Sequence, residues 1–83
     1  MFSAKILITK IFPTQTLQLK GKSLLFRNIT ATLEGKNIAF LLWNDLTSNP
    51  KLITNSMIDI EFRIESKEHN NRFYTDLTII KIT

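Results

Sequence analysis

Apolar and polar residues alternate with a period of two along most of this chain. The clearest run is residues 57–66. There Ile58, Ile60, Phe62 and Ile64 fall on one side, and Asp59, Glu61, Arg63 and Glu65 on the other, as expected for a strand with one buried face. Residues 4–12 predict a first strand, with Ile6, Ile8 and Phe12 on one side and Lys5, Leu7 and Thr9 on the other. Pro13 has no N–H to give a central ladder, so it ends or kinks that strand. Residues 14–22 are polar, with Lys20 and Lys22 flanking Gly21. They predict a loop, with room for a short strand extension through Leu17 and Leu19. A second strand covers residues 23–33, with Leu25, Arg27, Ile29, Ala31 and Leu33 on one face and Leu24, Phe26, Asn28, Thr30 and Thr32 on the other. Glu34-Gly35-Lys36-Asn37 predicts a hairpin turn in which Gly35 takes a positive φ.

The third strand, residues 38–43, is apolar on both faces, so it is either central or exposes an apolar face. Residues 44–55 break the alternation. Asp45 is placed to cap a short helical turn running from Leu46 towards Leu52, which Asn49-Pro50 keeps short. Residues 67–71 form a polar turn centred on Asn70-Asn71, since asparagine tolerates the left-handed conformation of a tight hairpin. Residues 72–82 are the last strand. Five strands with a short helical or irregular insert between the third and fourth predict an all-β, five-stranded OB-fold, a small Greek-key barrel. Closure would also remove exposed sheet edges from so short a chain. An SH3-like barrel is the main alternative, but its helical turn precedes the last strand.

Composition changes this picture little. The chain has 83 residues, which predicts one domain over 1–83 with a small core. With no cysteine, neither disulfides nor thiolate metal sites support the fold. The apolar run Ile6-Leu7-Ile8 is too short for a secretory signal, and no segment reaches the length of a membrane span. A cytoplasmic protein is the expectation. Charge is more telling. The net charge is +4, and residues 1–42 carry six bases against Glu34 alone, whereas residues 43–83 carry five bases and six acids. A basic half suits an anionic partner, although it also serves solubility.

Material for catalysis is scarce. His69 is the sole histidine, and the two glycines sit in separate turns, which leaves no phosphate loop and little for a nucleophile–base pair. Asp59, Glu61 and Glu65, interrupted by Arg63, have the pattern of a solvated strand face. Asp45, His69 and Asp76 have no recognisable metal-ligand spacing. The expectation is a non-enzymatic protein with no cofactor and no metal.

Four segments carry a resemblance: Leu42-Trp43-Asn44-Asp45, Ile64-Glu65-Ser66-Lys67-Glu68, Asn70-Asn71-Arg72 and Phe73-Tyr74-Thr75-Asp76. Together they resemble a family of short uncharacterised bacterial proteins with a single OB-fold, similar in shape to single-stranded-DNA-binding proteins. The chain departs from that pattern at Asn44 and Asn71, where the family prefers glycine. It departs again at Leu24-Leu25, and in a first strand without a bending glycine. The resemblance implies binding of single-stranded nucleic acid in replication, recombination or repair, with a plasmid or phage as the candidate setting.

Such ligands are held by basic grooves with aromatic side chains on which bases stack. In OB-folds the usual face is built from the second and third strands and their flanking loops. Here that face offers Phe26 and Trp43, with Lys20, Lys22 and Arg27 nearby. The last turn adds Lys67, His69, Arg72 and Tyr74. Each has a structural alternative. Phe26 can fill a gap under the first loop, Trp43 can close the barrel end, and Tyr74 can bury its ring with its hydroxyl at the rim. Arg27 can snorkel at the barrel end, Arg72 can pair with Glu65 or Glu68, and His69 can simply be solvated. Lys20 and Lys22 have the strongest claim, since a loop lysine pair serves no core purpose. The expected partner is single-stranded DNA, with RNA open, bound by a homo-oligomer through strand edges or Leu24-Leu25. A protein-interaction module without nucleic acid is the rival.

Overall fold

A computed structural model describes residues 1–83, apart from the side chain of His69. Its strands are β1 (Phe2–Ile11), β2 (Gln15–Leu19), β3 (Lys22–Leu33), β4 (Lys36–Trp43), β5 (Met57–His69) and β6 (Arg72–Ile82), with a 3-10 helix at Asn44–Ser48 between β4 and β5. The strands lie in the order β1-β5-β6-β4-β3-β2, and β1 also pairs with β3. That extra pairing closes β1, β3, β4, β6 and β5 into a five-stranded barrel, with β2 left as an appendage on β3.

Closure depends on β1 serving two neighbours. Its first half pairs with β5 from Phe2–Phe62 to Leu7–Met57. Its second half pairs with β3 from Leu7–Thr32 to Ile11–Ile29. The bend between the halves needs no glycine. Thr9 is an extra residue between the Ile8–Ala31 and Lys10–Thr30 pairs, and such a bulge bends and twists its strand. The Thr9 hydroxyl donates to the Thr30 carbonyl at 3.0 Å. The bulge also inverts the alternation beyond it. Ile11 packs against the core, and Phe12 turns to the outside, not to the Ile6 and Ile8 side that simple alternation predicts.

The barrel is filled from each of its five strands. Ile6, Ile8, Ile29, Ala31, Phe40, Leu42, Ile58, Ile60, Phe62 and Ile79 are buried, and Phe40 meets Phe62 edge-on with ring centroids 5.5 Å apart. Each large side chain here contributes about 1.5–3 kcal/mol on transfer from water. Ile64 departs from expectation and is 51% exposed. It lies where β5 and β6 leave the barrel as a free ribbon, so its face has nothing opposite it.

The turns follow local chemistry. Glu34 and Gly35 have φ of 51° and 79°, and Asn70 and Asn71 have φ of 52° and 63°. Two central residues at positive φ give the twist that a two-residue hairpin needs. Residues 14–22 are more regular than a loop. Gly21, at φ 70°, turns the chain so that β2 pairs with β3 from Leu19–Lys22 to Gln15–Phe26. Asp45 does not cap the helical turn; it lies within the first turn, and Trp43 occupies the N-cap position without a side-chain cap.

Candidate nucleic-acid interface

Register decides which candidate side chains share a surface. On β3, Ile29 and Ala31 point into the core, so Lys22, Leu24, Phe26, Asn28 and Thr30 point outward. On β4, Phe40 and Leu42 are buried, so Ala39, Leu41 and Trp43 point outward. The pairs Phe26–Trp43, Asn28–Leu41 and Thr30–Ala39 therefore lie side by side on the outer face. The Phe26 and Trp43 rings are 5.8 Å apart and tilted by 46°. Both are half-buried, leaving part of each ring open.

β6 extends this face. Leu41 of β4 is paired with Thr78 of β6, so Thr78, Asp76, Tyr74 and Arg72 carry the outer face up the ribbon. Lys67 is opposite Tyr74 and joins them. Lys67 also approaches Asp76 at 3.8 Å, whereas Arg72 is not the partner of Glu65 or Glu68. Of the nine candidate residues, Lys22, Phe26, Trp43, Lys67, Arg72 and Tyr74 thus share one outer face by register. Lys20 sits exposed at the tip of the β2–β3 hairpin. The side chain of His69 lies outside the described residues.

Arg27 is different. It points inward at the barrel end, where Nε donates to the Phe12 carbonyl at 2.7 Å and Nη1 to the Thr47 carbonyl at 2.9 Å. Thr47 is itself buried, and its hydroxyl donates to the Asn44 carbonyl. Arg27 therefore fastens the end of β1 and the 3-10 helix to β3.

A shallow groove opens on the outer face between β1 and β3, lined by Phe12, Pro13, Gln15, Asn28, Thr30 and Ala39. Phe12 is held at both backbone groups, since its N–H donates to the Asn28 carbonyl at 3.0 Å and its carbonyl accepts from Arg27. Lys10 Nζ lies 4.7 Å from the centre of the Phe12 ring. Sequence reasoning missed Lys10, Phe12, Asn28 and Thr30 as members of this surface. The bulge at Thr9 was the missing piece, since it puts Lys10 and Phe12 on the outside together.

The acidic stripe is divided. Asp59 and Glu61 lie away from this surface, opposite Lys5 and Ser3 of β1, whereas Glu65 is opposite Asp76 and puts a carboxylate on the same face as Thr78, Tyr74 and Lys67. Glu65 accepts from the Thr78 hydroxyl at 2.9 Å and from Arg63 Nε at 3.3 Å. The Thr78 hydrogen bond first, and the Arg63 charge after it, hold its carboxyl below the ordinary value of 4.5.

Comparison with solved structures found the second OB-fold domain of replication protein A from Methanococcus maripaludis. The TM-score is 0.72 at 11% identity, over 98% of this chain and 79% of that one. The chain is an OB-fold. The likeness extends to the expected shape of single-stranded-DNA-binding proteins. No protein-family model matches the chain, so the expected bacterial family gains no support, and no curated protein matches it.

Proposed function

We propose that this OB-fold protein binds single-stranded nucleic acid, DNA in the first instance and with little sequence preference, and performs no catalysis. The observation that carries the reading is the shared outer face. Register gathers three aromatic and three basic candidates there, between two hairpins tipped by Lys20 and Arg72. Bases would stack on Phe26, Trp43 and Tyr74, each stack contributing about 1–3 kcal/mol. Phosphates would follow Lys20, Lys22, Lys67 and Arg72, with Lys10 beside the groove. Arg27 acts from behind, holding Phe12 in the groove wall. The replication protein A domain named above has the same fold, which favours a role in replication, recombination or repair. Among the described residues no helix is long and apolar enough to cross a membrane, and the reading places the protein in the cytoplasm.

A protein-interaction module remains the second reading, because Phe73 and Ile64 lie 78% and 51% exposed on the opposite side of the ribbon. Titration of a labelled single-stranded thymine oligomer separates the two. Saturable binding at low salt, weakened at least tenfold in a Lys20→Glu/Lys22→Glu variant, is the expected result. Absence of binding at low salt would remove the nucleic-acid reading and direct attention to the ribbon.

A further inference from the structure

β2 ends the strand order and, among the described residues, is paired with β3 alone. Its outer edge is open. All five residues of Gln15–Leu19 are exposed, and none is charged or proline. An open edge of this kind lacks the lysines, prolines and bulges that usually block strand addition.

The open hydrogen-bonding groups can be named. Pairs in an antiparallel ladder alternate between hydrogen-bonded and non-hydrogen-bonded. The Leu25 N–H donates to the Asn44 side chain at 3.4 Å, away from β2, so Thr16–Leu25 is a non-hydrogen-bonded pair. Thr16 and Gln18 consequently turn their N–H and C=O groups towards the open edge, while Gln15, Leu17 and Leu19 bond to β3.

From this geometry we infer that β2 pairs with β2 of a second copy of this chain, antiparallel across a two-fold axis at Leu17. Thr16 then exchanges both hydrogen bonds with Gln18 of the other copy, twice by symmetry. Leu17 meets its own equivalent in a non-hydrogen-bonded pair, where side chains are closest. Leu17 and Leu19, now 37% and 52% exposed, gain apolar neighbours. The pairing consumes the same edge on both copies, so it closes at two and does not propagate.

The other free edge suits a second copy less well. Residues 2–6 of β1 pair with β5 alone, but that edge carries Lys5. The two-fold axis at Leu17 runs perpendicular to the sheet. It therefore leaves Lys22, Phe26 and Trp43 of both copies on the same side. The inference deepens the oligomer expected of the nucleic-acid reading, yet it stands on β2 and needs no ligand.

The test is made without nucleic acid. Light scattering of the whole chain over rising concentration is expected to reach twice its mass of 9.6 kDa. Leu17→Lys would set like charges opposite each other and raise the dimer dissociation constant about tenfold. Because the chain has no cysteine, Leu17→Cys permits only a 17–17 crosslink. Its Cα atoms would lie about 4.5 Å apart, inside the disulfide range of roughly 4.4–6.8 Å. Rapid oxidation to a covalent dimer, with slow oxidation of Ser3→Cys on the β1 edge, supports the inference. A monomer at every concentration, or a Leu17→Cys variant that crosslinks no faster than Ser3→Cys, overturns it. Neither result bears on whether the outer face binds an oligonucleotide.

Discussion

Arg27 is a charged residue whose role is fixed by two carbonyls. Its position between Leu25 and Ile29 on an apolar face would be costly if its donors went unpaired, because buried polar groups must be hydrogen-bonded. Phe12 and Thr47 supply the acceptors. Arg27→Met leaves both carbonyls without that donor. It should destabilise the protein by about 2–4 kcal/mol, measured by urea unfolding, and should loosen Phe12 in the groove. Glu65 is tied to pH. Its folded carboxyl titrates below its ordinary value of 4.5, so it contributes stability above that pH and loses it as pH falls through the folded value. Glu65→Gln, which keeps a hydrogen-bonding oxygen for Thr78, should flatten the fall of Tm between about pH 5 and 3. An unchanged Tm profile would show that the Thr78 contact carries no pH linkage.

The hairpins are set by single backbone positions. Gly35 stands at φ 79°, and a Cβ there would meet nothing within 4 Å. The cost of Gly35→Ala is therefore conformational and should be about 1–2 kcal/mol, read as a lower urea midpoint with an unchanged slope. At the ribbon tip, Asn71 already stands at φ 63°. Asn71→Gly should stabilise the turn by about 0.5 kcal/mol, since Asn-Gly is the preferred pair for two positive φ values. A loss of stability would mean that the Asn71 side chain contributes to the ribbon. β1 shows the opposite case, where an element is shaped by an inserted residue. The Thr9 bulge gives one strand two partners and reverses which side chains face out beyond it.

For the whole molecule, a closed barrel brings strands distant in sequence into one surface. β4 borders both β3 and β6; the Lys20–Lys22 hairpin lies beyond its Trp43 end, and the ribbon tip lies towards its Lys36 end, because Leu41 is paired in parallel with Thr78. This surface predicts a salt dependence. The log–log slope of affinity against salt should be about −0.7 per neutralised phosphate, so reversing Lys20 and Lys22 should make it shallower by at least about 1.4. Trp43 is the only tryptophan and lies half-buried on the outer face. Its fluorescence should be quenched as an oligonucleotide saturates the protein. Binding without quenching would shift the path towards the Phe12 groove.

Alternation along the chain was enough to find the five barrel strands, the Gly35 and Asn70-Asn71 turns, and the barrel type, while β2 read as a loop. Each of these follows from interactions between near neighbours, and a face that must be buried repeats every second residue. The exposure of Lys20 and Lys22 was legible for the same reason, as charges with no core to fill. Three features lay beyond the sequence because they depend on partners far along the chain. The bulge at Thr9 exists only because β1 must reach both β5 and β3. Ile64 reads as core but is exposed, because the ribbon has outrun the barrel that would cover it. Arg27 reads equally as a ligand contact or a rim residue until the carbonyls of Phe12 and Thr47 arrive beside it. Local pattern determined which residues form strands; closure of the barrel decided which faces of those strands meet, and so which side chains share a surface.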